Sequence, residues 1–282
     1  MKSVAVVGLG LIGGSLALAL RKHGMTVRAT DANHEQVSLA RRAGIDARES
    51  LLASLDDSAP EVVVICTPIS AIAPVYREYR KHLAGRETTF LHAGGLQTAA
   101  HLDLSATEDK GLVGTHPLAG SHQSGFRAAR EDLFNNCVVI VERKATPAQM
   151  QHAMEIWSAA GANRIVVEDA ELHDARMPVV SHLPQLASTA LALTIHERGY
   201  RSAEMGTGGR DATRLAASPF EMWVELLQRS REDAISLLAR LQWNVGRMRE
   251  AMATEDWRQL EEIWAEAGAL FDNRTEHRDD TV

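Results

Sequence analysis

The apolar run Val4-Ala5-Val6-Val7 leads directly into Gly8-Leu9-Gly10-Leu11-Ile12-Gly13, and an apolar stretch from Leu11 follows. A strand, three glycines at this spacing and a helix start together leave few folds open. Gly8 permits the tight turn, Gly10 lets backbone approach a pyrophosphate, and Gly13 lets the helix lie close on the strand. The freed N–H groups of Leu11, Ile12 and Gly13 then face an anion at the positive end of the helix. The expectation is the first βαβ unit of a dinucleotide-binding domain.

The pattern that follows supports this. Val27–Thr30, Val62–Cys66, Thr89–Leu91, Val138–Val141 and Arg164–Val167 are short β-branched runs, as buried parallel strands are. Between them Leu11–His23, His34–Ala43, Ile69–His82 and Pro147–Ala160 read as helices. The fold class expected is an α/β Rossmann-type domain with a mostly parallel sheet over residues 1–167. From 168 to 282 the chain turns to Ala, Leu, Met, Glu and Arg at helical spacing. Leu183–Glu197, Pro219–Ala251 and Glu255–Phe271 are the expected helices of an all-α second domain, with a frayed tail over Asn273–Val282.

Asp31 stands about twenty residues beyond the glycines, at the end of the second strand. There a carboxylate hydrogen-bonds ribose hydroxyls and repels a 2′-phosphate, so NAD is expected over NADP; capping of the next helix is the other role open to it. Thr67 and Pro68 follow the fourth strand and fall at the carboxyl edge of the sheet, on the nicotinamide side. The formal charge of −7, with no basic cluster, excludes nucleic acid as a partner. No apolar run is long enough for a membrane span. The first residues lack the features of a signal peptide, so a cytoplasmic protein is expected. Cys66 and Cys137 read as buried, reduced thiols.

Three further segments carry a resemblance. Gly114-Thr115-His116-Pro117-Leu118-Ala119-Gly120-Ser121 resembles the G-x-H-P-M-x-G segment of prephenate and arogenate dehydrogenases. Ser181-His182-Leu183-Pro184, preceded by His173-Asp174, looks like the second-domain helix of that family. Gly209-Arg210-Asp211-Ala212-Thr213-Arg214, followed by Pro219, Met222 and Trp223, looks like its G-F-R-D-x-T/S-R segment. With the glycine fingerprint, the likeness runs through nearly the whole chain in order.

The resemblance implies oxidation of a cyclohexadienyl ring in tyrosine biosynthesis, with loss of the ring carboxylate as carbon dioxide. Such a step needs a base near the ring hydroxyl and cations for the carboxylates of a small anionic substrate. His116, read as part of a loop before Pro117, suits the first task; turn chemistry is its alternative. Arg210 and Arg214 suit the second, since guanidinium forks grip carboxylates; ion pairs with Asp211 or neighbouring helices are the alternative. Ser181 and His182, at the start of a helix, are read as substrate contacts, with capping equally able to explain Ser181. The family likeness also implies a homodimer through the helical domain, where Trp223, Trp243, Trp257 and Trp264 fall; an internal core would use the same residues. His116, His122, His173 and His182 match no zinc spacing, and no metal is expected.

The sequence departs from the family at several positions. Where the family has D-x-G-S-x-K, this chain has His92-Ala93-Gly94-Gly95-Leu96-Gln97. Gly95 replaces a serine that in the family helps bind substrate and the histidine, leaving His92 or a water to compensate. Gln185 stands where prephenate-using members often have histidine, which favours a substrate bearing an amino-acid side chain or relaxed specificity. Ser230 replaces asparagine, and Gly209 replaces phenylalanine. Such changes also admit an amino analogue, 4-amino-4-deoxyprephenate. A β-hydroxyacid or imine reductase shares the domain plan, but no lysine follows Lys144 to serve its chemistry. An NAD-binding sensor without turnover fits the altered 92–97 segment, though not the presence of His116, Arg210 and Arg214 together.

Overall fold

The β-branched runs pair as a parallel sheet because both of their faces are apolar. In the computed structural model, which describes residues 2–52, 55, 58–102, 104–121 and 123–271, the strands are β1 (Ser3–Val7), β2 (Thr26–Thr30), β3 (Asp46–Arg48), β4 (Val62–Ile65), β5 (Thr89–His92), β6 (Leu112–Pro117), β7 (Val138–Glu142) and β8 (Arg164–Glu168). They form one sheet in the order β3-β2-β1-β4-β5-β6-β7-β8. All pairings are parallel except β6 with β7. The expected tail, 273–282, lies outside the described residues.

Alternate side chains along each strand supply two cores. Val4, Val6, Val64, Leu91 and Val113 pack with Leu16, Leu20 and Trp157 on one face. Ala5, Val7, Val63 and Ile65 pack with Ile72, Tyr76 and Tyr79 on the other. The covering helices are α1 (Leu11–Lys22), α2 (His34–Arg42), α3 (Ile69–His82), α4 (Gln97–His101), α5 (Ala106–Asp109) and α6 (Pro147–Ala159).

Two strands went unread in the sequence. β3 is only Asp46-Ala47-Arg48 on the sheet edge. β6, Leu-Val-Gly-Thr-His-Pro, is interrupted by Gly114 and ends on Pro117, so it lacks an unbroken apolar run. His116 is therefore a strand residue, paired with Ile140 across the antiparallel β6–β7 ladder, and not part of a loop.

Helices α7 (Ala170–Met177) and α8 (Leu183–His196) are joined without a break by a π-helical turn, Pro178–His182. Ser181 thus lies inside a continuous helical path, where it cannot act as an N-cap. Helix α9 (Thr207–Thr213) follows. The single helix expected over Pro219–Ala251 is instead a short turn (Phe220–Met222), α10 (Val224–Arg229) and α11 (Arg231–Ala253). The break falls at Ser230, whose hydroxyl donates to Leu226 O at 3.0 Å. Helix α12 (Trp257–Gly268) is the last long one described.

By its contacts the chain divides into Met1–Arg231 and Glu232–Val282. In the second unit Trp243 is flanked by the guanidinium groups of Arg240 and Arg247, at 4.1 and 4.9 Å from its ring centre. Among the described residues, no helix is long and apolar enough to cross a membrane.

Candidate active site

The glycine turn is shaped as its spacing demands. Gly8 has φ +99°, and a Cβ there would lie 2.7 Å from Cys66 O; one on Gly13 would lie 1.9 Å from Gly8 O. Gly10 is different, since a Cβ on it would meet nothing within 4 Å. Gly8 and Gly13 serve the protein's own packing, while Gly10 borders open space at the helix start. No side chain caps α1 and no acidic residue stands in its first turn, so its leading N–H groups are left for an anion.

Asp31 ends β2 beside this turn. One of its oxygens accepts the N–H of Leu9 at 2.6 Å, the other that of Asn33 at 2.7 Å. The cap of α2 is Asn33, which accepts from Glu35 N at 2.8 Å, so capping does not explain Asp31. Each carboxylate oxygen keeps a further lone pair for a ribose hydroxyl. Thr67, past β4, has a buried hydroxyl with no partner. An uncapped helix, open space at Gly10, a carboxylate at the ribose position and an orphaned hydroxyl at the sheet edge together fit a dinucleotide. Burial pushes the nearby Cys66 thiol up to about 12, leaving it inert.

His116 stands near the end of β6, at the same carboxyl edge of the sheet. Its Nδ1 is 2.9 Å from His173 Nε2, and His173 Nδ1 is 2.7 Å from Asp174 Oδ1. The rings of His116 and His173 meet edge to face. Asp174 also accepts from Gln97 N at 2.7 Å, Thr98 N at 2.8 Å and the Thr98 hydroxyl. It thereby binds α7 to the start of α4. Burial pushes the Asp174 carboxyl up, but the hydrogen bonds from His173, Thr98 and Gln97 N outweigh it, and the group stays below its ordinary value. Burial, with repulsion from His173 adding to it, holds His116 down at about 3.

Gly95 lies against the free nitrogen of that histidine: a Cβ on it would be 3.8 Å from His116 Nε2 and 3.5 Å from Leu226 Cδ2. His92 does not make good the missing serine. Its Nδ1 accepts from Gly94 N at 3.2 Å and its Nε2 is 3.0 Å from His101 Nε2. Because Nδ1 is an acceptor, Nε2–H donates to His101, whose own Nδ1–H then donates to Asp109 at 2.8 Å. Burial holds His92 well below its usual value and His101 down at about 4.

The helical wall supplies His182 and Gln185. His182 Nδ1 is 2.7 Å from Ser230 Oγ. Ser230 spends its proton on Leu226 O, so it accepts from His182, and His182 Nε2 keeps a lone pair. Gln185 is buried; its amide nitrogen donates to Leu215 O at 2.9 Å, while its Oε1 has no partner. Ser181 is half-buried in the π turn. Glu225 was not singled out in the sequence, yet its two oxygens accept Ile69 N at 3.0 Å and Ser70 N at 2.6 Å at the start of α3. That clamp seats Leu226 over Gly95.

Arg210 and Arg214 are not brought to His116. They border an open cavity of about 570 Å³ with His196, Tyr200, Arg201 and Asp211, and neither His116 nor Gly95 lines it. Arg210 donates to Met205 O at 2.7 Å. Among the described residues neither arginine has a carboxylate partner, Asp211 included. Their charge is available to an anion. His122 lies outside the described residues.

An uncapped glycine turn held by a carboxylate, with a desolvated histidine at the same carboxyl edge of one parallel run of strands, is the arrangement of a nucleotide-dependent dehydrogenase. Residues 16–166 match the profile described as "Prephenate dehydrogenase, nucleotide-binding domain", and residues 169–266 match "Prephenate dehydrogenase, dimerization domain". The chain belongs to the prephenate dehydrogenase family. It is 29% identical over 269 residues to the prephenate dehydrogenase of Bacillus subtilis, covering 90% of this chain and 71% of that one. It is 26% identical over 276 residues to the cyclohexadienyl dehydrogenase of Zymomonas mobilis, covering 94% of both. The crystal structure of Aquifex aeolicus prephenate dehydrogenase with hydroxyphenyl propionate and NAD+ superposes with a TM-score of 0.78 at 27% identity, covering 95% of this chain and 96% of that one.

Proposed function

We propose that this chain oxidises a cyclohexadienyl substrate, prephenate or arogenate, with NAD and with loss of carbon dioxide. The observation that carries the reading is His116: a neutral, desolvated imidazole whose Nε2 faces the open side of Gly95, at the sheet edge that also holds the glycine turn. Bound NAD supplies a hydride acceptor.

His116 Nε2 takes the proton of the ring hydroxyl as the carbinol hydride departs. The O–H electron pair becomes a carbonyl bond, which draws in the pair of the breaking ring–carboxylate bond. Carbon dioxide leaves, the ring becomes aromatic, and the phenolate oxygen recovers the proton from His116. No net proton is released, so a histidine that is neutral at rest closes the cycle. Gly8, Gly10, Leu11, Ile12 and Gly13 hold the pyrophosphate, Asp31 the ribose, and Thr67 with Pro68 the nicotinamide side. Ser181 and His182 line the helical wall, while Arg210 and Arg214, on a cavity that His116 does not line, have no place in this arrangement. Orientation of the two reactants does most of the remaining work.

A second reading concerns the substrate's amine. Gln185 Oε1 is buried and lacks a donor, an arrangement that suits the ammonium group of an amino-acid side chain, as in arogenate. Steady-state kinetics with prephenate, arogenate and 4-amino-4-deoxyprephenate test both readings, and a kcat/KM for prephenate above that for arogenate removes the second. A homodimer is part of the proposal, supported by the dimerization-domain match and by Trp257 and Trp264, which are 60% and 70% exposed. A cytoplasmic setting follows from the same biosynthetic role.

A further inference from the structure

Asp174 and His173 do more than fill space behind His116. Their chain of contacts leaves only one proton arrangement when both imidazoles are neutral. The Asp174 carboxylate can only accept, so His173 carries its proton on Nδ1. His173 Nε2 is then an acceptor, and it must receive Nδ1–H from His116 at 2.9 Å. His116 Nε2 is left as a lone pair, aimed at the space beside Gly95.

We propose that Asp174 and His173 form a positioning dyad that fixes His116 in the Nδ1–H tautomer and takes over its charge when Nε2 accepts the substrate proton. The inference rests on the functional reading above. As Nε2 gains the proton, Nδ1–H can pass to His173 Nε2, which places the imidazolium beside the Asp174 carboxylate at 2.7 Å. The transfer reverses when the phenolate recovers its proton, so nothing is consumed. His173 is fully buried, and Asp174 is immobilised by three donors from Gln97 and Thr98. The dyad is therefore rigid before substrate arrives, as electrostatic stabilisation requires. It also gives the short helix α4 a role, since its first N–H groups orient the carboxylate that orients the base.

The test pairs histidine ¹⁵N NMR with kinetics on the full-length protein. In the wild type the His116 resonance, assigned with His116→Asn, is expected to show Nδ1 protonated and Nε2 bare. Asp174→Asn removes the negative charge that would hold an imidazolium on His173 and replaces one acceptor oxygen by an amide N–H, which disrupts the chain of donors behind His116. The expected result is a fall in kcat of about 100-fold or more, with KM within about threefold. His173→Gln keeps an acceptor oxygen for His116 Nδ1–H but cannot carry charge, so it should retain about tenfold more kcat than Asp174→Asn. A wild-type His116 protonated on Nε2, or an Asp174→Asn kcat within about threefold of wild type, overturns the proposal. Should Asp174→Asn fail to fold, His173→Gln is compared with His173→Phe, and equal kcat values overturn it. The tautomer is read without substrate, so a wild type lacking turnover would sink the functional reading while the dyad is still tested.

Discussion

The carboxylate of Asp31 accepts the backbone N–H of Leu9 at 2.6 Å, which fastens the end of β2 to the glycine turn. Under the proposed function, selection at the ribose and shaping of the glycine turn are one arrangement. Asp31→Ser removes a charged acceptor from both, and hydrogen bonds to charged groups contribute about 1.5–3 kcal/mol each. NAD affinity should fall about 10- to 100-fold, with NADP rising relative to NAD. Titration of both cofactors checks this; an unchanged NAD/NADP ratio would show that Asp31 does not read the ribose.

The glycines separate fold from cofactor. Gly13→Ala drives a methyl to 1.9 Å from Gly8 O and should lower thermal stability and NAD binding together. Gly10→Ala meets nothing within 4 Å, so its melting temperature should match wild type within a degree or two (about 0.5 kcal/mol or less) while NAD binding weakens at least tenfold. Equal loss of stability in both variants would contradict the assignment of Gly10 to the pyrophosphate.

Gly95→Ser is expected to be accommodated. Its Cβ would sit in ordinary contact with Leu226 and 3.8 Å from His116 Nε2, at a backbone conformation open to any residue. One added hydrogen bond to the substrate hydroxyl contributes about 0.5–1.5 kcal/mol, so kcat/KM should rise about 2- to 10-fold. A loss of activity would mean that the pocket is built around the absence of that side chain.

The buried imidazoles make stability depend on pH. His116 is held near 3 and His101 near 4, with His92 and His182 also lowered, each chiefly by burial. All four titrate near 6.5 once unfolded. Between those values the unfolded chain binds more protons than the folded one, so stability is full above pH 6.5 and declines as pH falls toward 4 and 3. Each such histidine removes at most ~1.4 kcal/mol per pH unit across that window. Urea denaturation at pH 7.5, 6 and 5 should show a falling midpoint, with a shallower fall for His101→Gln. A midpoint that rises on acidification would contradict the neutral assignment.

What the sequence revealed follows from how locally each feature is encoded. Strands β1, β2, β4, β5, β7 and β8 announce themselves through β-branched runs, and the glycine turn through its spacing. Strand β6 does not, because Gly114, His116 and Pro117 break its apolar pattern even as its neighbours complete its hydrogen bonds. The helix break at Ser230 is invisible to periodicity, since a hydroxyl bonded to Leu226 O is a tertiary choice that also satisfies His182. His116, Gly95 and Gln185 could be picked from motifs. The partnership of His173 with His116, of Asp174 with Gln97 and Thr98, and of Glu225 with α3 could not, because each joins residues far apart in the chain. Their sole local sign was an adjacent His-Asp pair on a helix.

The most direct test of the account is NADH formation by the purified chain with NAD and prephenate or arogenate, run beside His116→Asn. The account predicts turnover by the wild type and a loss of about 100-fold or more in kcat for the variant, with NAD binding retained. Turnover of neither substrate, or a variant as active as the wild type, would contradict it.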